Sequence, residues 1–390
     1  MNMKRLMRTA VFISILIPAA SCLIPPETEG EDDTAGSEMP PFSRNFQEEQ
    51  YRIPGDFDFD ATVARWHGFS RAAASLTFDD GTYDQYSTAW PVLEEKGVKG
   101  TFYLAAGLIG TGIWNDHGTS RRMMSWQEAS EIAASGHEIG SHSMSHIDLS
   151  RGEIDFDLEF RESRNLIEAE IPGTVVETFC WPHWRETDET MKAASQYYIS
   201  ARSGNGVISY YYDRKGGIPS DPPMNMYSVN ALGILNGHSS DQWMGVAEDI
   251  LNRGSWFVTS FHGVQSLRAG EDELGWSALP EKDFRIIVDY IIGRGFWIET
   301  FATVSKYIYE RDAADLHIKN SSDSLILTLD DDLDDSEYDI PLSLSLSIPE
   351  NWESAEAYDS EGGRIRSRIN GGKLFLDIPP DGNSVIIKPY

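Results

Sequence analysis

Three groups of polar residues with catalytic potential each stand at the end of an apolar run. The first is the pair Asp79 and Asp80, the second is the pair His142 and His146, and the third is His262. At each position a buried strand is expected to end and a loop to begin. Two histidines and one carboxylate can form a three-ligand metal site with an open fourth position. The pattern therefore predicts a metal-dependent hydrolase, with one carboxylate and one imidazole left for proton transfer.

The first group is the sequence Asp79-Asp80-Gly81, which follows an apolar run at 75–78. Successive side chains that leave a strand point in different directions, so one carboxylate can bind metal while the other faces a substrate. Gly81 permits the sharp turn that exposes both side chains. Asp-Asp-Gly is also a common surface turn, but the strand-like run before it favours a functional role.

The second group is the histidine pair, spaced i and i+4. One helical turn or a compact loop with this spacing brings both imidazoles to one ion. A pair at ligand spacing directly after the run 136–141 is a more specific signal than a lone histidine. His137 lies earlier in that run and is expected to be structural.

Short apolar runs alternate with helical patterns from about residue 51 to residue 311. The predicted strands are 73–78, 100–104, 137–141, 178–181, 197–202, 256–261 and 296–300. The predicted helices are 85–96, 125–135, 150–170, 241–252 and 280–294. Strands that alternate with helices predict an α/β fold with a parallel sheet, here a distorted or partly open (β/α) barrel. In such barrels the catalytic residues lie at the carboxyl ends of the strands, where all three polar groups fall.

Beyond residue 311 the pattern changes to alternating apolar and polar residues, separated by turn-forming sequences. The predicted strands are 325–329, 342–348, 373–378 and 384–388. This alternation is typical of a small antiparallel β domain. Bracing of the barrel is the favoured role for it, and glycan binding is the alternative.

The N-terminus has the pattern of an export signal. Lys4, Arg5 and Arg8 precede a mostly apolar run at 10–20 that is too short to span a bilayer. Cys22 follows small residues, as at the cleavage site of bacterial lipoproteins. We therefore expect an exported protein that is lipid-anchored at the cell envelope through Cys22, or otherwise secreted after ordinary signal cleavage.

The composition of the next segment predicts a disordered linker, because it is rich in Pro, Gly and acidic residues. The predicted organisation is a signal segment at 1–22, a linker at 23–50, a barrel at 51–312 and a β domain at 313–390. Cys22 and Cys180 are the two cysteines of the chain, so no disulfide is expected.

The formal net charge of −30 bears on the partners of the protein. Nucleic acid is excluded as a partner, because phosphate binding needs basic patches. A neutral or cationic polymer suits this charge better than a polyanion.

The three polar groups together resemble the motifs of the polysaccharide deacetylase family (the NodB-homology carbohydrate esterases). Thr-Phe-Asp-Asp-Gly at 77–81 is similar to the first motif of the family, and His-Ser-x-x-His at 142–146 is similar to the second. His262 stands where the family has its late histidine, although Phe261 occupies a position where Leu is common. The resemblance covers roughly residues 51–311.

This resemblance implies a role for each polar side chain. Asp80, His142 and His146 would bind a divalent metal ion, most often Zn²⁺. Asp79 would be the general base, and His262 would be the general acid. The implied reaction is hydrolysis of an N- or O-linked acetyl group on a polysaccharide.

One motif departs from the family pattern. Where many members have Arg-x-Pro-Tyr, this chain has Cys180-Trp181-Pro182-His183. We hypothesise that Arg202, at the end of the next predicted strand, replaces the missing arginine as the partner of Asp79. A surface salt bridge is the alternative for Arg202, and a buried structural thiol is expected for Cys180. Gly81, Trp181 and His183 are expected to line the site, with the N–H of His183 available to an oxyanion.

Other residues have less specific signals. Trp114, Trp184 and Trp276 lie in predicted loops, where they could pack against a sugar or simply within the protein. Asp221 and Asp241 are both candidate partners of His262.

The leading interpretation is a deacetylase of the cell envelope. The first alternative is an amidohydrolase for small C–N substrates, which export and a surface anchor disfavour. The second is a catalytically silent, glycan-binding surface protein, which the complete set of metal ligands and proton-transfer groups disfavours.

Overall fold

The computed structural model describes residues 60–116, 118–204, 225–237, 240–266, 277–321 and 323–390. The predicted signal and linker lie outside these residues, as do Cys22, Asp221 and Trp276. No helix in the described ranges combines the length and the apolar composition that crossing a bilayer requires.

Helices and strands are numbered along the chain. The helices are α1 (Trp90–Lys96), α2 (Trp126–Ala134), α3 (Ser163–Glu170), α4 (Asp188–Ala194), α5 (Ser240–Arg253), α6 (Glu281–Gly293) and α7 (Phe301–Ala313). The strands of the first part are β1 (Ala61–Val63), β2 (Ala73–Phe78), β3 (Thr101–Leu104), β4 (Ile113–Asp116), β5 (Thr119–Arg122), β6 (Glu138–Ser141), β7 (Thr178–Cys180), β8 (Ser200–Arg202), β9 (Leu232–Gly233), β10 (Trp256–Phe261), β11 (Val264–Gln265), β12 (Leu279–Pro280) and β13 (Trp297–Ile298). The C-terminal strands are β14 (Asp315–Asn320), β15 (Leu325–Asp330), β16 (Leu342–Ser347), β17 (Ala355–Tyr358), β18 (Arg364–Ile365), β19 (Ser367–Asn370), β20 (Lys373–Ile378) and β21 (Asp381–Pro389).

The parallel sheet has the strand order β8-β7-β6-β3-β2-β10-β9, and β13 pairs with the start of β2. Strands β2 and β10 are paired and buried along their whole length, as expected for central strands covered on both faces. The chain from 225 to 234 joins the two edges, because Val229 bridges Arg202 while β9 pairs with β10. The predicted distorted (β/α) barrel is therefore confirmed.

Local sequence explains where the helices begin. Ser125 caps α2 by accepting a hydrogen bond from the N–H of Glu128, and the Glu128 carboxylate accepts one from the N–H of Ser125. The helix predicted at 150–170 begins only at Asp157, as a π-helical segment Asp157–Glu162 that continues into α3. Gly152 has a positive φ of 82°, which no right-handed helix accommodates. Helices α4 and α7 were not predicted.

The C-terminal strands form two antiparallel sheets, which confirms the predicted β structure. One sheet has the order β1-β16-β20-β19 and the other has the order β14-β15-β21-β17-β18. Alternate leucines of β15, β16 and β20 bury their side chains in one shared core. Strand β1, although it precedes the barrel in the sequence, pairs with β16 of this sandwich.

Helix α7 lies between the barrel and the sandwich. Phe301 and Val304 pack in a cluster with barrel residues, whereas Tyr307 packs in the sandwich core. Glu310 is fully buried on this helix, and its Oε1 accepts a hydrogen bond from the N–H of Ile340 at 2.9 Å. Its Oε2 has no hydrogen-bond partner among the described residues. Burial raises the pKa of Glu310 to about 8.

Candidate active site

The turn that follows β2 places two carboxylates at the mouth of the barrel. Asp80 and Gly81 both have positive φ, 78° and 83°. A Cβ atom on residue 81 would lie 2.6 Å from Ile109 Cδ1 and 2.9 Å from Leu104 Cδ2. Glycine is therefore required by both conformation and space, but Gly81 does not line the pocket described below.

Asp79 is buried and held by hydrogen-bond donors from two other strands. The Nη2 of Arg202, at the end of β8, donates to both carboxylate oxygens, at 2.5 Å and 2.6 Å. Ser260 Oγ of β10 donates to Asp79 Oδ2 at 2.9 Å. Arg202 is itself fully buried, so the contact is not a surface salt bridge. The arginine lies where the sequence hypothesis put it.

Cys180 leaves room for this contact. Cys180 of β7 and Arg202 of β8 are directly paired in register, and both side chains point toward Asp79. The thiol lies 3.7 Å from Asp79 Oδ1, and Arg202 Nη2 also contacts the sulfur atom. Burial raises the pKa of Cys180 well above its usual range, which favours the neutral thiol.

The histidine pair lies on a compact loop rather than on a helix. Ser143 and His146 have positive φ, 67° and 53°, so the loop departs from helical geometry. The buried carboxylate of Glu159 accepts hydrogen bonds from the N–H groups of Met144 and Ser145, which fixes the loop. His142 Nδ1 donates to the carbonyl of Cys180 at 2.8 Å. That bond leaves His142 Nε2 without a proton and therefore able to bind a cation.

Asp80 faces the two imidazoles. Its Oδ1 lies 3.1 Å from His146 Nε2 and 3.6 Å from His142 Nε2. Its Oδ2 accepts a hydrogen bond from Arg121 Nη2 at 2.6 Å. Arg121 belongs to β5 of the β4–β5 hairpin, is buried, and packs 4.9 Å from the centre of the Trp114 ring.

The donor set fits a divalent metal ion. The ligand atoms of Asp80, His142 and His146 all lie within 4.8 Å of one another. Two neutral imidazoles and one carboxylate are the ligand types of open zinc sites. Asp79, His142 and Cys180 also lie within 4.8 Å of one another, but a neutral buried thiol is a poor ligand.

Asp79 and Asp80 line a cavity of about 330 Å³. The other lining residues are His142, His146, Asp148, Trp181, His183, Trp184, Arg185 and His262. His262 lies at the end of β10, beyond Phe261. Buried Gln85 donates its Nε2 to the carbonyl oxygens of both His262 and Asp79, which ties the ends of β2 and β10 together.

The loop after β7 carries two consecutive residues with positive φ. His183 and Trp184 have φ of 56° and 53°, which is uncommon outside glycine. The Trp184 ring lies over Gly204, where a Cβ atom would come within 2.8 Å of it. The same ring meets His262 edge-on, with 6.2 Å between centroids. The ring of His183 lies 4.8 Å from that of His146.

The surroundings of the site lower the pKa values of its aspartates and of two of its histidines. Burial raises the pKa of each aspartate, but Arg202 and the nearby histidines lower that of Asp79, and Arg121 and His146 lower that of Asp80 further. Burial, followed by the charge of His146, lowers the pKa of His142 to about 4. Burial also lowers the pKa of His262. Asp79 and Asp80 are therefore ionised near pH 7, whereas His142 and His262 are neutral.

The pocket brings together all the predicted catalytic and metal-binding residues. Trp181 is buried and donates its Nε1 to the carbonyl of Tyr227 at 2.8 Å, while it also lines the cavity. Asp241 lies exposed in the first turn of α5, outside the pocket. His137 is structural, since its ring nitrogens contact the N–H of Gly100 and the carboxylate of Glu94. Trp114 meets the His146 ring edge-on at 5.0 Å.

Sequence reasoning missed three residues that hold the site. They are Arg121, Ser260 and Gln85. Ser260 stands two positions before His262 in a strand that was predicted, so alternation along β10 could have placed it on the inner face. Arg121 had no such signal, because its hairpin was not predicted.

Comparison with known proteins finds similarity to polysaccharide deacetylases. The sequence profile of the polysaccharide deacetylase family matches residues 68–201. A gellan lyase of Bacillus sp is 24% identical over 358 residues, which is 85% of this chain and 13% of that protein. A putative polysaccharide deacetylase of Bacillus subtilis (strain 168) is 30% identical over 36% of this chain and 48% of its own length. A chitin deacetylase of Arthroderma benhamiae is 28% identical over 43% of this chain and 42% of its own length. The chain thus spans less than half of each of these relatives.

Several solved structures are similar to this chain. One is the Xyl-CE4 domain of a multidomain xylanase from the hindgut metagenome of Trinervitermes trinervoides, with a TM-score of 0.38 and 19% identity over 60% of this chain and 89% of that one. Another is a polysaccharide deacetylase from Bacillus cereus, with a TM-score of 0.36 and 19% identity over 44% of this chain and 50% of that one.

Proposed function

We propose that this protein, whose residues 68–201 belong to the polysaccharide deacetylase family, removes acetyl groups from a polysaccharide by metal-dependent hydrolysis. The observation that carries the proposal is the pair of adjacent, differently held carboxylates. Asp80 faces two imidazoles, while Asp79 beside it is held by Arg202 and faces the same cavity. One carboxylate is thus available to a cation and the other to a proton.

Asp80, His142 and His146 would hold a divalent metal ion, with Zn²⁺ the best match to the donor set. Such an ion, when bound, supplies Lewis-acid polarisation and lowers the pKa of water. The Nδ1–H of His142 donates a hydrogen bond to the Cys180 carbonyl. This bond orients the ring even without a bound ion.

Asp79 acts as the general base. Arg202 and Ser260 keep it ionised and fix its orientation, so it can take a proton from the water molecule that attacks the acetyl carbonyl. His262 lines the same cavity and is neutral near pH 7, so it must first take up a proton from solvent before it passes that proton to the departing amine or alcohol. The backbone N–H of His183, a residue that lines the cavity, is the candidate donor to the developing oxyanion.

The substrate class follows from the shape and charge of the site. The cavity of about 330 Å³ is concave and has Trp181, His183 and Trp184 among its lining residues, which suits a sugar unit. The net charge of −30 favours a neutral glycan over a polyanion. Either an N-acetyl or an O-acetyl group suits the same water attack.

The decisive experiment measures acetate release by the purified protein. The panel holds N-acetylglucosamine oligomers, peptidoglycan and acetylated xylan, each with chelator, with chelator followed by zinc, and with the Asp79→Asn variant. Release that stops with chelator, returns with zinc and is absent from the variant supports the proposal. A metal-loaded protein that releases no acetate would contradict it and favour a small-amide hydrolase or a glycan-binding protein.

The site of action is a separate proposal. We infer from the basic and apolar segments before Cys22 that the protein is exported and lipid-anchored at the cell envelope. Labelling of the wild-type protein, but not of a Cys22→Ser variant, by a fatty-acid analogue would support the anchor. A protein found entirely in the culture medium would favour ordinary secretion.

A further inference from the structure

A second cavity, of about 410 Å³, lies away from the catalytic pocket, on the sandwich. We call it the sandwich groove; it is lined by Gly68, Phe69, Arg366, Ser367, Arg368, Phe375, Leu376 and Asp377. Phe69 lies just before the start of β2, whereas Asp79 follows the end of that strand. A strand of this length spans about 20 Å, so the groove and the pocket lie toward opposite ends of the barrel.

Two arginines of the groove have no carboxylate partner. Arg366 and Arg368 are exposed, and in the part of the chain that the structure describes neither side chain forms an ion pair or donates a hydrogen bond. Nearby Arg364, in contrast, pairs with Glu356. In a chain with 62 acidic and 32 basic residues, two such arginines in one cavity are notable because carboxylates are abundant. Arg366 immediately precedes β19 and Arg368 lies within it, and both line the groove.

The groove also has an aromatic wall. The Phe69 and Phe375 rings meet edge-to-face with centroids 5.1 Å apart. The Arg368 guanidinium lies 4.7 Å from the centre of the Phe375 ring, a cation–π contact that restrains its position.

The backbone holds Phe69 in an unfavourable conformation. Phe69 has a φ of 60°, uncommon for a bulky residue, directly after Gly68 with a φ of 67°. The N–H of Gly68 donates to Ser343 Oγ at 2.7 Å, and Ser343 in turn donates to Asp377. Strain of this kind persists only where surrounding contacts maintain it, and it is concentrated at ligand-binding positions.

We propose that the sandwich groove is a second glycan-binding site, which takes a saccharide unit bearing a carboxylate. Arg366 and Arg368 would bind the carboxylate through charge-assisted hydrogen bonds, and the Phe69 ring would pack against the sugar. Because the overall charge repels polyanions, the ligand is a chain whose carboxylates are separated by neutral sugars. The site lies outside the catalytic pocket, so this proposal does not depend on the proposed reaction.

The test is a binding titration by calorimetry at fixed salt concentration. The probe is an oligosaccharide in which glucuronate alternates with a neutral sugar, and its control is the same oligosaccharide with the carboxylates reduced to alcohols. We expect the reduced probe, and the Arg366→Ala/Arg368→Ala variant with the intact probe, each to bind at least about tenfold more weakly. Lys319→Ala, which removes an exposed cation on β14 of the other sheet, should bind as the wild type does.

A second variant tests the aromatic wall. Phe69→Gly suits the positive φ at this position, so it should fold normally yet bind the probe more weakly. Acetate release from a small acetylated substrate should stay unchanged in all these variants, which separates this proposal from the catalytic one. Equal binding of the reduced probe, or wild-type binding by the double arginine variant, would overturn the proposal. Retention on phosphatidylglycerol vesicles without binding of the oligosaccharide would overturn it in favour of a membrane contact.

Discussion

Two regions of this protein bury carboxylates in opposite ways. At the mouth of the barrel, Asp79 and Asp80 are each paired with a buried arginine, Arg202 and Arg121, and the pKa of both is lowered. On α7, Glu310 is equally inaccessible to solvent but accepts one backbone hydrogen bond, and its pKa is raised to about 8.

The difference shows what a buried carboxyl group needs in order to stay ionised. Burial penalises the ionised form at all three positions, and at the two aspartates a guanidinium in direct contact, together with nearby histidines, reverses the effect. Two adjacent aspartates that stay ionised under such a penalty are consistent with the proposed roles of their charges. At Glu310, by contrast, the protonated form is favoured, and the side chain serves the packing of α7 against the sandwich.

The largest expected effect comes from Asp79→Asn. The change removes the proposed base but leaves the shape of the site nearly intact. We expect turnover to fall by about 100- to 10,000-fold. Metal content, measured by mass spectrometry after dialysis, should stay at the wild-type level. A variant that lost its metal as well would show that the two carboxylates do not have separate roles.

Removal of Arg202 should make Asp79 resemble Glu310. Arg202→Met leaves a buried carboxylate without its counter-charge, which typically costs about 3–5 kcal/mol of stability. Arg202→Lys keeps the charge and tests position alone, with turnover expected to fall about 10- to 100-fold. The kcat should fall more than the KM changes, because a positioning residue acts through the base. Wild-type kcat in the Lys variant would contradict a positioning role.

Exchange of the paired residues tests the geometry of β7 and β8. Cys180→Arg alone should place two guanidiniums beside Asp79 and reduce both stability and turnover. In the double variant Cys180→Arg/Arg202→Cys, one guanidinium would reach Asp79 from the adjacent strand, and turnover should recover relative to either single variant. A double-mutant cycle measures this coupling. Strictly additive losses would show that the thiol and the guanidinium do not share one space.

Arg121→Ala should affect the metal rather than the base. Loss of its hydrogen bond frees Asp80 to rotate away from the imidazoles, so we expect zinc affinity to weaken about 10- to 100-fold. The measurement is competition with a chromophoric chelator, which does not require turnover. Arg122→Ala is the matched control, since neighbouring Arg122 is exposed and pairs with Glu128. Equal affinities in both variants would remove Arg121 from the site.

The smallest expected effect is a pH-dependent gain of stability in Glu310→Gln. The folded pKa of Glu310, about 8, lies above its usual value of 4.5, so its contribution to stability is fully present below pH 4.5 and is lost as the pH rises through 8. Because glutamine stays neutral, the advantage of the variant over the wild type in free energy of unfolding should grow by about 1–3 kcal/mol between pH 5 and pH 8. Thermal unfolding at both pH values measures this. A gain that did not grow with pH would mean that Glu310 is ionised throughout.

The sequence predicted the central strands, and it predicted the proposed catalytic residues that the structure brings to one cavity, because these signals are local. Strands β2 and β10 were predicted to the residue, since each is a buried run bounded by polar residues. Arg202 could be placed beside Asp79 because the ends of parallel strands meet at one edge of the sheet.

Features that depend on distant contacts were not predictable. Strands β9 and β13 have two residues each and exist only through their pairing with β10 and β2. The β4–β5 hairpin reads as a loop, so Arg121 was missed although it contacts Asp80. Gln85 donates hydrogen bonds to two backbone carbonyl groups that only folding brings together. A sequence pattern does not indicate such a contact.

The pairing of β1 with β16 bears on how the chain is made and delivered. Ala61–Val63 hydrogen-bonds with Leu344–Leu346, and Tyr307 donates to the carbonyl of Ala64. During synthesis β1 cannot pair until β16 has been made. Its apolar side chains stay uncovered until then. If the protein is exported as proposed, this delay would keep the sandwich from closing until β16 has been made.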